Sequence, residues 1–346
     1  MERINKILTI IKDLNCDCAV ITDRANVRYL SGFSGSAGYL VISEKERLLV
    51  TDFRYVEQAE KQAKNFWIKN SADFKIAEYA RDFENAAFED TTISYSKYLW
   101  LSKIFKNLTP LGNAVIKLRS IKDKYEIENI RTAEKIGDEA FSHILSFIKE
   151  GMTESRVARE IEFYMLSNGA QKLSFDTIVA TGANGSLPHA QPGESILKKG
   201  DLVVMDFGCV YNGYCSDMTR TVGIGSLDSE SIDAYNTVLK AQLAALDTIK
   251  AGVTGAKVHN TAFDIIDPLY KGMFGHSLGH GLGLEVHEAP NFSPSYDHPI
   301  EAGSVITVEP GVYIPGKCGV RIEDVVVVTE DGYENLTSSP KELILI

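Results

Sequence analysis

Apolar residues at Ile4, Ile7, Leu8 and Ile11 recur with helical spacing among charged ones. The chain therefore reads as opening on an amphipathic helix rather than on an apolar leader. Short apolar runs at 18–22, 39–42 and 48–51 predict strands, with a glycine-rich turn, SGFSGSAG, at 31–38. Residues 52–64 predict a helix with Asp52 as its N-cap. This alternation predicts a small α/β domain that ends near residues 117–120.

A long helix is predicted from about 122 to 150, on the apolar positions Ile127, Ile130, Ala133, Ile136, Ala140, Phe141 and Ile144, with Gly151 suited to its C′ position. Thr153 can cap a second helix that runs to about Asn168, with Gly169 beyond it. A strand is predicted over 173–180, and two more helices over 229–250 and 254–266. Helices set apart from hairpins predict an α+β second domain.

Charge and composition narrow the function. The 346 residues carry 36 Lys plus Arg against 47 Asp plus Glu, a net charge of −11. That balance argues against nucleic-acid or polybasic membrane binding as the main activity. No apolar run reaches the length of about 18 residues expected of a membrane-spanning helix. The five cysteines, Cys16, Cys18, Cys209, Cys215 and Cys318, are odd in number and form no C-x-x-C pair. Neither a disulfide framework nor a structural zinc site is expected, and the expected location is the cytoplasm.

The candidate chemistry lies in two hairpins and a loop. In the first hairpin, residues 201–222, Asn212-Gly213 is a type I′ turn signal. That register sets Asp206 opposite Thr219 and Asp217 opposite Gly208. The two aspartates then share a face as diagonal neighbours, roughly 7–8 Å apart at the backbone. A single acid in a strand is ordinarily exposed surface, but two convergent carboxylates repel unless something positive lies between them. In the second hairpin, residues 304–330, a turn near Gly316 brings Glu309 and Glu323 close to opposite, with Arg321 on the face of Glu323. Alone, this would be an exposed face with a Glu–Arg pair. The loop GHSLGHGLGLEVHEAP, 275–290, holds His276, His280 and His287. His276 and His280 have the spacing of a helical zinc pair, but the glycines around them predict extended backbone.

Ser277 lies within G-x-S-x-G, the pattern of a serine-hydrolase elbow. The segment before it is a poor strand and the segment after it a poor helix, so a Ser277 hydrolase is a distant alternative. Four carboxylates and an imidazole exceed the needs of one ion and suit two. An oxygen-rich set favours Mn²⁺ or another hard divalent ion. Two ions roughly 3.5–4 Å apart can activate a water and polarise a carbonyl or phosphoryl oxygen. The residues by themselves thus predict a metal-dependent hydrolase, without its substrate.

Asp206, Asp217, His280, Glu309 and Glu323 stand in the order and local settings of the dimetal pita-bread peptidases, the superfamily of methionine aminopeptidase, aminopeptidase P, prolidase and creatinase. SFDTIVATGANGSLPHAQP, DMTRTV, GHGLGLEVHE, EPGVYIPG and GVRIEDVVVVTEDG resemble its peptidase domain, while YLSGFSGSAG and TDFRYVEQA resemble the smaller N-terminal domain of the aminopeptidase P and prolidase branch. The resemblance covers nearly the whole chain. It implies a creatinase-like α/β domain over 1–118 and a pita-bread peptidase domain over 119–346, α+β overall.

The resemblance also implies roles. Asp206 would hold one metal, His280 and Glu309 the other, and Asp217 and Glu323 would bridge both. A bridging hydroxide would attack the scissile carbonyl, with Glu309 taking its proton. His189 and His287 match outer histidines that bind the carbonyl or pass a proton to the leaving nitrogen. His276, Arg321 and Tyr313 would line the substrate site. Two divalent ions are implied, Mn²⁺ expected, with Co²⁺ or Zn²⁺ as alternatives. The branch cleaves peptides with proline at the second position. The expected activity is therefore an Xaa-Pro aminopeptidase, with an Xaa-Pro dipeptidase (prolidase) as the alternative and a non-catalytic peptide-binding protein as a distant one. All five metal positions are filled, which creatinase does not need, so creatinase-like hydrolysis is disfavoured. The N-terminal domain is short, as in compact bacterial and archaeal forms. A homodimer is expected, with neither nucleic acid nor membrane as a partner.

Overall fold

The computed structural model describes residues 2–346, and the chain divides into two units, one reaching Arg119 and one from Ser120 to Ile346. The first unit runs α1 (Glu2–Asp13), β1 (Cys18–Ile21), α2 (Arg24–Ser31), β2 (Tyr39–Ser43), β3 (Arg47–Thr51), α3 (Val56–Gln62), β4 (Trp67–Asn70), α4 (Ile76–Tyr79), β5 (Asn85–Phe88), α5 (Tyr95–Leu101), β6 (Asn107–Pro110) and α6 (Ala114–Ser120). Ile4, Ile7 and Ile11 form the buried stripe of α1. The strands make one mixed sheet in the order β4-β3-β2-β1-β5-β6. Its central strand β1 is buried at every position, as expected of a run covered on both faces.

Two local expectations change here. Asp52 does not cap a helix: α3 begins after Tyr55 without a side-chain cap, and Asp52 instead pairs with the Arg54 guanidinium at 2.8 Å. A charge-assisted contact two residues away outcompetes the capping bond. The additional helix α2 was not predicted, although Asp23 caps it through Asn26 N–H and Gly32 closes it at φ +79°.

The second unit begins with α7 (Lys124–Phe147) and α8 (Glu154–Ser167), followed by β7 (Lys172–Leu173), β8 (Ile178–Thr181), β9 (Leu202–Phe207), β10 (Cys209–Tyr211), β11 (Tyr214–Cys215) and β12 (Met218–Gly223). After α9 (Ser229–Thr248) and α10 (Gly255–Ile266) come β13 (Gly279–Gly281), β14 (Glu288–Phe292), β15 (Val305–Val308), β16 (Gly311–Ile314), β17 (Cys318–Arg321), β18 (Asp324–Val328) and β19 (Tyr333–Asn335). Asp123 and Glu126 form a capping box on α7, and Thr153 caps α8. Helix α7 stops at Phe147, short of Gly151, because Ile148 is already extended. The single strand expected over 173–180 is two, β7 and β8, which join different sheets.

Each helix pair covers its own strands. Ala133, Phe141, Val157 and Ile161 of α7 and α8 pack with Met205, Phe207 and Met218 of β9 and β12. Val238, Ala245, Val258 and Ala262 of α9 and α10 pack with Ile306, Val308, Val320 and Val326 of β15, β17 and β18. The polar site is assembled on these strands. The five cysteines are free, and among the described residues no helix is long and apolar enough to cross a membrane.

Candidate metal centre

Asn212 and Gly213 both have positive φ, +47° and +84°, as a type I′ turn requires. The register set there persists: Tyr211 pairs with Tyr214, and beyond a break Asp206 of β9 faces Thr219 of β12. The break falls at Gly208, where a Cβ would lie 2.0 Å from the Ser216 carbonyl oxygen. Asp217 sits at this break, and its backbone N–H donates to Glu134 Oε1 of α7 at 2.9 Å. The second hairpin also contains a break. Val308 pairs with Asp324, and Gly311 with Arg321. Glu309 and Glu323 occupy the gap between these ladders. Their N–H groups donate to the carbonyls of Leu278 at 2.8 Å and Thr219 at 3.1 Å.

His280 arrives on β13. Gly279 allows this strand to approach its neighbour, since a Cβ there would fall 1.8 Å from the Thr307 carbonyl oxygen. The Thr307 hydroxyl accepts His280 N–H at 3.0 Å and donates to Glu309 Oε1 at 3.2 Å. His280 Nδ1 donates to its neighbour's carbonyl, Gly281 O, at 3.1 Å. This leaves Nε2 free to face the acids, 3.4 Å from Glu309 Oε1 and 3.6 Å from Asp217 Oδ2.

Ligand atoms of Asp217, His280 and Glu323 all lie within 4.8 Å of one another. Burial pushes the carboxyls of Asp217 and Glu323 well above the ordinary range, and neighbouring carboxylates push them further. Burial also raises Glu309, to about 8. His280 is lowered to about 4, mainly by burial and then by His287. Anions are thus crowded where water is scarce. Two buried oxygens, Asp206 Oδ1 and Glu323 Oε1, have no hydrogen-bond partner, a costly state unless something else completes them. The donor set, four carboxylates and a neutral imidazole with a free Nε2, fits hard divalent cations.

A hydrogen-bonded relay that starts at the Arg321 guanidinium borders the acids. Arg321 donates to Asp206 Oδ2, to Thr219 Oγ1 at 3.0 Å, to Tyr313 Oη at 2.8 Å and to the Pro188 carbonyl at 3.2 Å. Tyr313 in turn donates to His276 Nε2 at 3.0 Å, and His276 Nδ1 donates to Ser277 O at 2.8 Å. Burial holds His276 down near 4, so it accepts from Tyr313 as a neutral ring. The His287 ring lies 4.2 Å from that of His280, and burial lowers its pKa too.

The structure brings Asp206, Asp217, His280, Glu309 and Glu323, together with His189, His276, His287, Tyr313 and Arg321, to one cavity of about 1070 Å³. Ser277 also lines it, but neither a strand before it nor a helix after it builds an elbow. Sequence reasoning missed Glu134 and Thr307, and counted Thr219 only as the residue opposite Asp206, without its bonds to Glu323 and Arg321. Glu134 left a signal, an acid within the buried stripe of α7 beside Ile130, Ala133 and Gly137. The threonines left none, because their value comes from opposing strands.

The profile of metallopeptidase family M24 matches residues 128–330, and that of the creatinase/prolidase N-terminal domain matches residues 3–121. The structure of an Xaa-Pro dipeptidase from Bacillus anthracis superposes with a TM-score of 0.96 at 43% identity, over 100% of this chain and 99% of that one. An X-Pro aminopeptidase from Thermotoga maritima superposes with a TM-score of 0.90 at 38% identity, over 98% of this chain and 100% of that one. The Xaa-Pro dipeptidase of Pyrococcus furiosus is 38% identical over 348 residues, 99% of each chain.

Proposed function

Because the chain belongs to metallopeptidase family M24, with a creatinase/prolidase N-terminal domain, we propose that it is an Xaa-Pro dipeptidase that uses two Mn²⁺ ions. It is a metal-dependent peptidase of the Xaa-Pro type; the dipeptide preference and the metal are the proposed refinements. The observation that carries the reading is the cluster of Asp217, His280 and Glu323, its two carboxylates buried and its imidazole half-buried, beside unpartnered oxygens of Asp206 and Glu323. The full-length likeness to Xaa-Pro dipeptidases supports the choice of substrate.

Asp206, Asp217, His280, Glu309 and Glu323 would hold the ions. When bound, such ions lower the pKa of water and polarise a carbonyl. The chain's own groups do the rest. Glu309, at the acid cluster's edge, takes the proton released by the attacking water. His287, beside His280, hydrogen-bonds the scissile carbonyl oxygen as charge develops on it. The proton taken up by Glu309 is passed on through His189 to the proline nitrogen as it leaves, so that both side chains end as they began. Arg321, Tyr313 and His276 form a hydrogen-bonded wall that orients the substrate. An Xaa-Pro bond carries no N–H. A site that works through the carbonyl and the metal ligands loses nothing to its absence.

The size of the cavity favours a second reading, the Xaa-Pro aminopeptidase. At about 1070 Å³ it lies just above the roughly 300–1,000 Å³ usual for small-molecule sites. Besides the acids, its lining includes Arg159 and Glu162 on α8 and Ser293 and Ser295 after β14. Parallel assays of Xaa-Pro dipeptides and Xaa-Pro-Xaa tripeptides separate the two. Preferential dipeptide cleavage supports the dipeptidase, and faster tripeptide cleavage replaces it with the aminopeptidase.

A further inference from the structure

Pro188 and His189 sit on the connection between β8 and β9, in a stretch, 181–193, whose two ends meet one side chain. Glu154, in the first turn of α8, is fully buried. Its Oε1 accepts Thr181 N–H at 2.7 Å, and its Oε2 accepts Gly193 N–H at 3.0 Å. The Asn184 amide nitrogen, inside the loop, lies 2.9 Å from both oxygens. The next residue, Ser155, adds N–H and hydroxyl bonds to the Gly193 carbonyl, at 3.0 and 2.6 Å. The middle of the loop meets the site itself, where the Pro188 carbonyl accepts from Arg321 and His189 lines the cavity.

Helix α8 does not need this carboxylate, since Thr153 already caps it through Arg156 N–H. A buried carboxylate without a cation is an expensive way to gain stability. What it does well is hold three separate donors at fixed points, because both of its oxygens accept directed bonds. All of those donors belong to the segment 181–193.

We propose that Glu154 is a positioning residue that clamps both ends of this loop so that His189 faces the scissile bond. The proposal rests on the reading of His189 as the proton donor to the leaving nitrogen. Glu154→Gln is the matched variant. It keeps shape and volume, but whichever way the amide is turned its NH₂ must confront the Thr181 N–H or the Gly193 N–H, donor against donor.

The test is a double-mutant cycle of Glu154→Gln and His189→Ala in the full-length, Mn²⁺-loaded protein. It reads kcat and KM on an Xaa-Pro dipeptide, with bound Mn²⁺ and the melting temperature measured alongside. Displacement of a reacting group by about 1 Å costs on the order of 10²-fold in rate. Glu154→Gln is therefore expected to lower kcat by roughly 10- to 100-fold, with KM and Mn²⁺ content close to the parent. In the His189→Ala background it is expected to cost almost nothing more, because sites acting as a unit are not additive. Additive losses, or a lower melting temperature with unchanged kcat, would overturn the clamp. A silent His189→Ala would overturn the His189 reading, and the clamp with it, whereas a damaging His189→Ala with additive Glu154→Gln overturns the clamp alone. If Glu154→Gln does not fold, Asn184→Ala carries the same cycle, with a smaller loss of kcat that again vanishes when His189 is absent.

Discussion

Glu323 and Asp324 are neighbours in sequence, and both carboxylates are buried, yet their surroundings are opposite. Asp324 accepts from Arg220 at 2.7 Å, Lys341 at 2.8 Å, Asn335 at 2.8 Å and Gln242 at 3.0 Å. Burial alone would raise its pKa, but the Arg220 and Lys341 charges outweigh it, and the group lies below its ordinary value. Glu323 has one donor, the Thr219 hydroxyl at 2.7 Å, and its Oε1 has no partner. Burial, then Glu309 and Asp206, raise it well above its ordinary value. One acid brings its counter-charge in the chain, and the other sits among further acids. The difference teaches how to tell a structural carboxylate from one set up for a cation: burial is common to both, and internal neutralisation is not.

Exchanging the two carboxylates for their amides is the widest test of that contrast. Glu323→Gln, or Asp217→Asn on the same cluster, is expected to lower Xaa-Pro hydrolysis by at least about 10²-fold through loss of a metal ligand, while the metal-free protein still unfolds cooperatively in urea. Activity near the parent's would break the assignment. His287→Ala moves the question just outside the acids. A turnover loss on the order of 10²-fold, typical of a lost acid–base or hydrogen-bonding group, is expected with bound metal retained. Metal loss with normal turnover after reconstitution would make His287 a ligand instead. Asp324→Asn leaves Arg220 and Lys341 without their partner, and stability measured by denaturant unfolding is expected to fall by about 3 kcal/mol, with metal affinity little changed.

The smallest effect belongs to Asp228, an exposed acid that caps α9 and pairs with Lys317. The Lys317 hydrogen bond and the capping N–H hold its pKa down at about 2, below the ordinary aspartate range. Its contribution is therefore present above about 4 and is lost as pH falls through about 2. Asp228→Asn keeps a cap and removes that pH dependence, and at neutral pH it is expected to cost under about 1 kcal/mol. Urea midpoints between pH 2 and 5 give the comparison.

The sequence carried the frame of the site because that frame is local. Asn212-Gly213 fixes a turn, strand alternation propagates its register, and Asp206 meets Thr219 as counted. The same logic set Glu309 near Glu323, and glycine density kept the His276–His287 segment out of a helix, with a short strand at Gly279–Gly281 and bends on either side. What the sequence concealed depends on partners far along the chain. Glu134 is 83 residues from Asp217, and Glu154 is 39 from Gly193. Glu134 stands out only by lying in the buried stripe of α7, and Glu154 reads locally as an ordinary helical acid. Asp52 misled for the opposite reason: a capping residue is recognisable, but Arg54 two places on competes for it.

The central claim is that the acids around Glu323 exist to hold two cations. Mn²⁺ titration of the metal-stripped protein by calorimetry, with Xaa-Pro hydrolysis followed on the same samples, tests it most directly. The account predicts two bound ions per chain, hydrolysis that appears only as they bind, and fewer than two in Glu323→Gln. Full hydrolysis by the stripped protein, or no saturable Mn²⁺ binding, would contradict it.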